Sequence, residues 1–494
     1  MAPDGGTETQ LERTLGLTEA LMIGVGTMIG AGIFVLPGPA ADVAGPAIAL
    51  SFLIGGVIAL LTALSASELA TAMPRAGGSY HFINRGLGPL FGSIAGFGNW
   101  LGLAFASAFY VIGFGSYLGL LIDVVVDPPS LALGPLVLGH AQLGGLLGGI
   151  LFVAVNYVST EETGNLQNLI VFGLLGILAV FAILGAIAAD LSTLRPFTPE
   201  GVDTILPGTA LVFVSYLGFV KITTVAGEIK DPGRNLPRAL IGSVLLVTAM
   251  YAIIMVIVLG VVDRGDIADS ETAVADVAGI LFGGFFGVAA VGVGLLTMAG
   301  LLATASSANA SILAASRISY AMGRDGIFSP KLNAIHGRFK TPHRAIVITG
   351  GFILLFVLIG DVATLAKAAS VLHLVVYGLL NLALIVFRET DASGYEPSFL
   401  VPLYPWVPIA GAVASFGLIA FMEPIEIALG FAFVAISVAW YVAYARSRTT
   451  DDSALGTYRG RRGADDVEIE LDAASTSDTA DGEDTGSDET RAGR

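Results

Sequence analysis

Two features inside apolar runs carry residue types that could do chemistry. The stretch "GVGTMIGAGIFVLPG", residues 24–38, holds five glycines and a proline in fifteen positions. In "GFVKITT", Lys221 is the only charged residue. Glycine and proline weaken a helix by about 1 and 3 kcal/mol relative to alanine, and a bilayer tolerates unpaired backbone only where protein or a water-filled cavity surrounds it. A break at such a place frees N–H and C=O groups for a polar ligand. The positive end of a half-helix favours an anion such as a carboxylate, and glycine lets the ligand approach the backbone. Ile29, Gly30, Ala31 and Gly32 therefore read as a carboxylate cradle, with carbonyls of the preceding half-helix open to an ammonium group. The competing reading is close helix packing, because Gly26 and Gly30 have the GxxxG spacing. A nucleotide loop does not fit, since the spacing is GxGxxxG and no strand precedes it.

An ammonium in a membrane costs about 2.5–3.5 kcal/mol on insertion scales. Desolvation favours loss of its proton, which makes Lys221 a coupling or gating candidate; alternatively its chain snorkels to the surface. Glu68 with Arg75, and Glu228 with Arg234 and Arg238, read as ion pairs that either latch a gate or anchor the surface. His373 reads as a substrate contact, a pH-sensing group or a satisfied core histidine.

The elements that must position these residues follow from composition. Of the 494 residues, 54% are hydrophobic and 13% charged. Mean hydropathy is +0.81. Apolar runs of about 20 residues recur, the signature of a polytopic membrane protein. Twelve spans are expected near 18–43, 46–71, 89–121, 141–160, 166–189, 206–229, 238–262, 278–313, 343–360, 364–388, 403–421 and 425–446. With the N-terminus inside, short inner loops carry twelve Lys or Arg and outer loops carry Arg195, Arg264 and Lys367. That asymmetry places both termini in the cytoplasm. Spans 1 and 6 are the most interrupted and spans 3 and 8 the longest. Each pair stands five apart, which fits a five-plus-five inverted repeat with two extra helices.

Residues 1–17 form a polar N-terminal segment, residues 18–446 the transport domain and residues 447–494 an acidic tail expected to be disordered. The net charge is −16, of which the tail supplies thirteen acidic and six basic residues. Five Lys against nineteen Arg suits a halophile's acidic, Lys-poor surface. No cysteine is present, so disulfides and thiolate metal sites are excluded. No Walker motif, metal spacing or catalytic triad appears, which argues against an ATPase or an enzyme and calls for no cofactor.

Four blocks carry a family resemblance. Gly24, Gly26, Ile29, Gly30, Gly32, Ile33 and Phe34 match the first-helix motif of the amino acid–polyamine–organocation permeases. "SASELATAMPRAGGSYHFINRGLGPLFGSIAGF" matches their second helix and following loop through Glu68, Pro74, Gly77, Gly78 and Tyr80. "FVSYLGFVKITTVAGEIKDPGRNLPRAL" resembles their sixth helix, and "ASSANASILAASRISYAMGRDGIFSP" the end of the eighth. The resemblance implies an all-α integral membrane protein with a twelve-helix, leucine-transporter-like fold. It implies a permease in the cell membrane that moves amino acids by alternating access and works on a small-molecule substrate, without nucleic acid. The substrate would meet Ile29, Gly30, Ala31 and Gly32 on helix 1 and Phe213, Val214, Ser215, Tyr216 and Gly218 on helix 6. Asn99 and Phe105 on helix 3 are further candidates to face its side chain.

For coupling, the same fold implies Na+ or H+. A sodium site would take carbonyls of Gly26 and Ile29 with hydroxyls of Thr304, Ser306 or Ser307, all hard oxygen ligands. Proton coupling through a helix 5 lysine is doubtful, because Gly173 stands where that lysine would be. Val220 and Gly227 replace acidic residues usual in relatives, leaving Glu228 alone. Three other readings stay open: an amino-acid-sensing receptor of the same fold, a polyamine permease, and an exchanger. The residues carry no signal for oligomeric state.

Overall fold

A computed structural model describes residues 13–74, 77–122, 131–133, 136–158, 164–268, 270–339, 341–390, 392 and 394–460. Among the described residues ten helices are long and apolar enough to cross a membrane, and three shorter apolar helices, Ala273–Phe286, His343–Ile359 and Trp406–Ile419, accompany them; we number His343–Ile359 and Trp406–Ile419 as spans 9 and 11. Among the described residues the fold is otherwise all-α, apart from a small antiparallel hairpin pairing Leu131–Leu133 with Leu136–Leu138. Many side chains on the periphery are apolar and exposed, including Leu169, Ile183 and Phe431. A water-facing surface does not tolerate so much contiguous apolar area. This is a multi-pass membrane protein.

Span boundaries follow local signals. Span 3, Pro89–Ile122, starts at a proline in the first helical position. Span 7, Pro232–Val261, does the same and begins six residues before the expected 238, because Pro232 opens the helix and Pro237 still lies near its start. The eighth span needs a larger correction. The expected run 278–313 is two helices, Ala273–Phe286 and Ala289–Arg324. Gly287 ends the first at φ +69, a left-handed conformation that glycine adopts without penalty. Hydropathy could not show the turn, since "FGGFFGVAA" is apolar throughout.

Spans 1 and 6 are the discontinuous ones. Span 1 runs Leu17–Ile29, then resumes as Gly32–Val35 and Pro37–Ala44. Span 6 runs Ile205–Val212, tightens into a 3-10 turn at Phe213–Tyr216, and resumes as Lys221–Thr224. Both are enclosed by other spans, as is span 10, Val362–Glu389, whereas span 12, Pro424–Trp440, lies at the rim.

The fold extends past residue 446. Residues 447–460 pack against the bundle, with Ser453 and Ala454 buried. The carboxylate of Asp451 accepts from the Ser453 hydroxyl at 2.5 Å, and Ser453 Oγ accepts from Gly456 N–H at 3.0 Å, capping the short helix that follows. Residues 461–494, the remainder of the expected tail, lie outside the described residues, as does Arg75.

Candidate functional site

The two breaks meet in the middle of the bundle. Gly30 takes φ +31 and ψ −137, a backbone that L side chains rarely adopt, and this separates the halves of span 1. Through span 6 the hydrogen bonds become i to i+3: Leu217 N–H to Val214 O at 3.3 Å, Lys221 to Gly218 at 3.0 Å and Ile222 to Phe219 at 3.1 Å. The backbones touch, since a Cβ on Gly218 would come within 2.5 Å of Met28 N. Thr27 Oγ1 lies 2.7 Å from Ile23 O of its own helix and 3.0 Å from Gly218 O of the other span.

Interrupting a helix in hydrocarbon leaves carbonyls that must be satisfied. Phenols from neighbouring spans do this. Tyr251 of span 7 donates to Met28 O at 2.5 Å, and Tyr377 of span 10 donates to Leu217 O at 3.2 Å. Beyond the break, Tyr117 of span 3 donates to Phe34 O at 2.7 Å. Tyr216 of span 6 reaches Phe52 O in span 2 at 2.7 Å.

Around the Gly30–Gly32 turn the wall is close and polar. A Cβ on Gly30 would lie 2.7 Å from Ser307 Oγ and 3.3 Å from the Tyr110 ring. A Cβ on Gly32 would collide with Ser215 Oγ. Both Ser215 and Ser307 are buried, and neither hydroxyl has a hydrogen-bond partner. Buried hydroxyls normally find partners, so two that lack one beside the same backbone break are candidates to meet a polar ligand.

Of the residues read as substrate contacts, Ile29, Gly30, Ala31, Gly32, Phe213, Val214, Ser215, Tyr216 and Gly218 are all buried at this junction. The cation set is less uniform. Thr304 donates to Gly300 O at 2.7 Å and Leu301 O at 3.1 Å of its own helix, the usual habit of a membrane threonine. Gly26 O already accepts from Gly30 N–H at 3.4 Å. Ser306 is only half-buried, so among the three hydroxyls Ser307 faces the break.

Lys221 does not snorkel. It is buried, and its ammonium donates to Ser311 Oγ of span 8 at 2.8 Å. It lines a narrow cavity with Ser79, Asn99, Ala314, His373 and Tyr377 on the side of the breaks nearer the chain termini. Asn99 belongs to this cavity, where its amide donates to Ser79 Oγ at 3.0 Å. Phe105 faces away, stacked on Phe356 of span 9 with centroids 3.9 Å apart. The imidazole Nδ1 of His373 lies 2.9 Å from Ala369 O of its own helix.

The latch pairs differ from expectation. Glu68 pairs with Arg388 of span 10, and its carboxylate also accepts from Tyr395 and from the Val401 amide. Glu228 makes no ion pair with Arg234 or Arg238; its carbonyl instead accepts from Leu15 N–H at 3.0 Å. Tyr251, Tyr110, Tyr377 and Ser311 escaped the reading of the sequence, and Arg388 entered it only as one of the inner-loop charges. Tyrosines in apolar runs look like core, and only the phenol's need for a partner hinted otherwise.

Similarity to known proteins agrees with this geometry. The amino acid permease family matches residues 15–444. An uncharacterized transporter of Mycobacterium tuberculosis is 30% identical over 452 residues, covering 90% of this chain and 94% of the relative. A branched-chain amino acid permease of Bacillus subtilis is 27% identical, covering 90% and 95%. A serine/threonine exchanger of the same organism is 27% identical, covering 82% and 90%. With a match spanning most of its length and breaks where the first and sixth spans meet, the chain belongs to the amino acid permease family of the amino acid–polyamine–organocation superfamily, a family of transporters and not of enzymes.

Proposed function

We propose that this protein is a secondary transporter that carries neutral amino acids across the cell membrane by alternating access, with its termini in the cytoplasm. The observation that carries the reading is the pair of orphan hydroxyls, Ser215 and Ser307, facing the Gly30–Gly32 turn. The substrate carboxylate sits on the amides of Ala31 and Gly32 at the positive end of the outer half of span 1. Its ammonium sits on carbonyls at the opposing half-helix end, and its side chain lies among Tyr110, Phe213 and Ser307. The relatives named for branched-chain residues and for serine and threonine support a neutral substrate. So does the wall of the turn, which consists of hydroxyls and phenols.

Lys221 acts as a gating group. Its charge-assisted bond to Ser311 ties span 6 to span 8 across the surfaces that must part when the site opens to the cytoplasm. Coupling runs through exchange or an ion gradient, with Ser307 and the Ile29 carbonyl as the oxygen ligands of a sodium ion if one is used.

The test is uptake of labelled leucine, serine, arginine and putrescine by purified protein in liposomes. Each is run with a sodium gradient, a proton gradient or unlabelled amino acid inside. Uptake of leucine or serine lost in Gly32→Ala supports the site. Uptake of putrescine alone, or binding without uptake, overturns the reading in favour of an amine permease or a receptor.

A further inference from the structure

The connection between spans 2 and 3 holds a helix, Gly78–Leu87, with a glycine hinge at each end. Gly77 and Gly78 take φ +129 and +56, and Gly88 takes φ +96, conformations that L side chains rarely adopt. One end of this helix borders the Lys221 cavity. Ser79 lines that cavity, and a Cβ on Gly78 would come within 3.0 Å of Thr224 in the second half of span 6. Tyr80 ties the helix to the end of span 8, its phenol donating to Asp325 Oδ2 at 2.8 Å.

The other end meets residues 447–460, which follow the last span. A Cβ on Gly88 would stand 3.1 Å from Asp451 Oδ1 and 3.2 Å from Ser453 Oγ. Ser453 and Ala454 are buried, although Asp451 and Asp452 just before them are exposed. Upstream, the chain is held beside the end of span 8. Trp440 Nε1 donates to Ile327 O at 2.8 Å, and a Cβ on Gly326 would come within 2.8 Å of Arg448 O. Downstream, Ala454 and Tyr458 line a cavity of 470 Å³ with Phe387 of span 10. A second cavity, of 370 Å³, lies between the segment and the end of span 8, and His81, Arg85 and Asp452 line both. A terminal segment flanked by cavities makes few buried contacts, and such segments detach at low cost.

We propose that residues 447–460 are a strap that restrains the Gly78–Leu87 helix and so opposes opening on the side of the termini. Opening there requires Ser79 and Thr224 to part from Ala314 across the Lys221 cavity. The helix that carries Ser79 cannot swing on its hinges while Gly88 is held. Release of the strap shifts the population toward the state open on that side. This inference rests on the alternating access proposed above and is independent of which substrate moves.

The experiment places a single cysteine, Ala314→Cys, in the full chain, which has none of its own, and measures its rate of labelling by a maleimide in detergent. Hydrogen exchange of the peptides covering residues 78–88 supplies a second readout. Ala454→Arg puts a charged chain in a buried place, and Asp451→Ala with Ser453→Ala removes the groups that face Gly88. Each should speed labelling about fivefold and raise exchange over residues 78–88. Arg459→Ala, at an exposed position of the same segment, should leave both at wild-type values. Unchanged labelling in both strap variants overturns the inference, as does an equal rise in Arg459→Ala. Exchange that rises throughout the protein rather than over residues 78–88 would show a loosened fold and overturn it too. Leucine uptake in liposomes separates the two proposals. Strap-dependent labelling without amino acid uptake fails the substrate reading alone, whereas uptake without strap-dependent labelling fails the strap.

Discussion

Glu68 and Arg388 form a two-point ion pair, with Nε and Nη2 of the guanidinium donating to the two carboxylate oxygens at 2.7 and 2.5 Å. The Tyr395 phenol at 2.9 Å and the Val401 amide at 2.7 Å complete the carboxylate, which is fully buried. Glu68 is on span 2, Ile48–Ala72, and Arg388 ends span 10. One side chain therefore fastens span 2, span 10 and the segment leading to span 11. Removing one partner of a buried pair costs about 3 kcal/mol or more. Glu68→Gln should lower the melting temperature of detergent-solubilised protein sharply. Arg388→Met should do at least as much harm, because it leaves the fully buried Glu68 carboxylate without a counter-charge, whereas the Arg388 side chain is partly exposed. Losses that simply add in the double variant would show that the pair is not the fastening.

Gly32 has no room for a methyl group, since the Ser215 side chain occupies its place. Overpacking of this kind costs about 1–3 kcal/mol, so Gly32→Ala should weaken substrate affinity by roughly tenfold. Ser215→Gly should restore packing in the double variant, whereas Ser215→Ala should not, because the Ser215 Cβ is itself only 2.6 Å from the added carbon. Binding measured by thermal shift in the three variants decides the matter.

Lys221, bonded to Ser311 of span 8, lines a narrow cavity together with Ala314. A hydrogen bond to a charged group contributes about 1.5–3 kcal/mol. Lys221→Met should therefore raise the population of the state open on that side by roughly tenfold. The chain has no native cysteine, so Ala314→Cys gives a single reporter. Maleimide labelling at that position should be faster in the Lys221→Met background. An unchanged rate would remove Lys221 from the gate.

At the opposite end from the termini, Ser116 of span 3 donates to the carboxylate of Glu271, in the segment before Ala273–Phe286. Burial raises the Glu271 carboxyl above its usual range; the bond from Ser116 and the charge of His140 oppose that, and Asp361 adds to it. A raised folded value means the native state binds more protons than the unfolded one. Stability is then fully present below the ordinary carboxylate value and declines as pH rises from there through the raised one. Melting temperatures of wild type should fall over that window relative to Glu271→Gln. Parallel curves for the two proteins would contradict the assignment.

The sequence determined the number and order of spans, because lipid demands long apolar runs and these are countable. It also located both broken spans, since glycines at 24, 26, 30 and 32 cannot favour a continuous helix. Tertiary structure decided which partners those residues meet. Glu68 had Arg75 seven residues away, yet Arg388, 320 residues on, takes its carboxylate, because spans 2 and 10 pack side by side. Asn99 and Phe105 lie on one helix six residues apart, and packing sent one to the Lys221 cavity and the other to span 9. The turn at Gly287 was hidden in an unbroken apolar run. Tyr251 was one more aromatic in such a run, and only the convergence of spans 1, 6 and 7 gave its hydroxyl three carbonyls to face. Periodicity and composition report on a chain's relation to its solvent, whereas partners distant in sequence are chosen by how the helices pack.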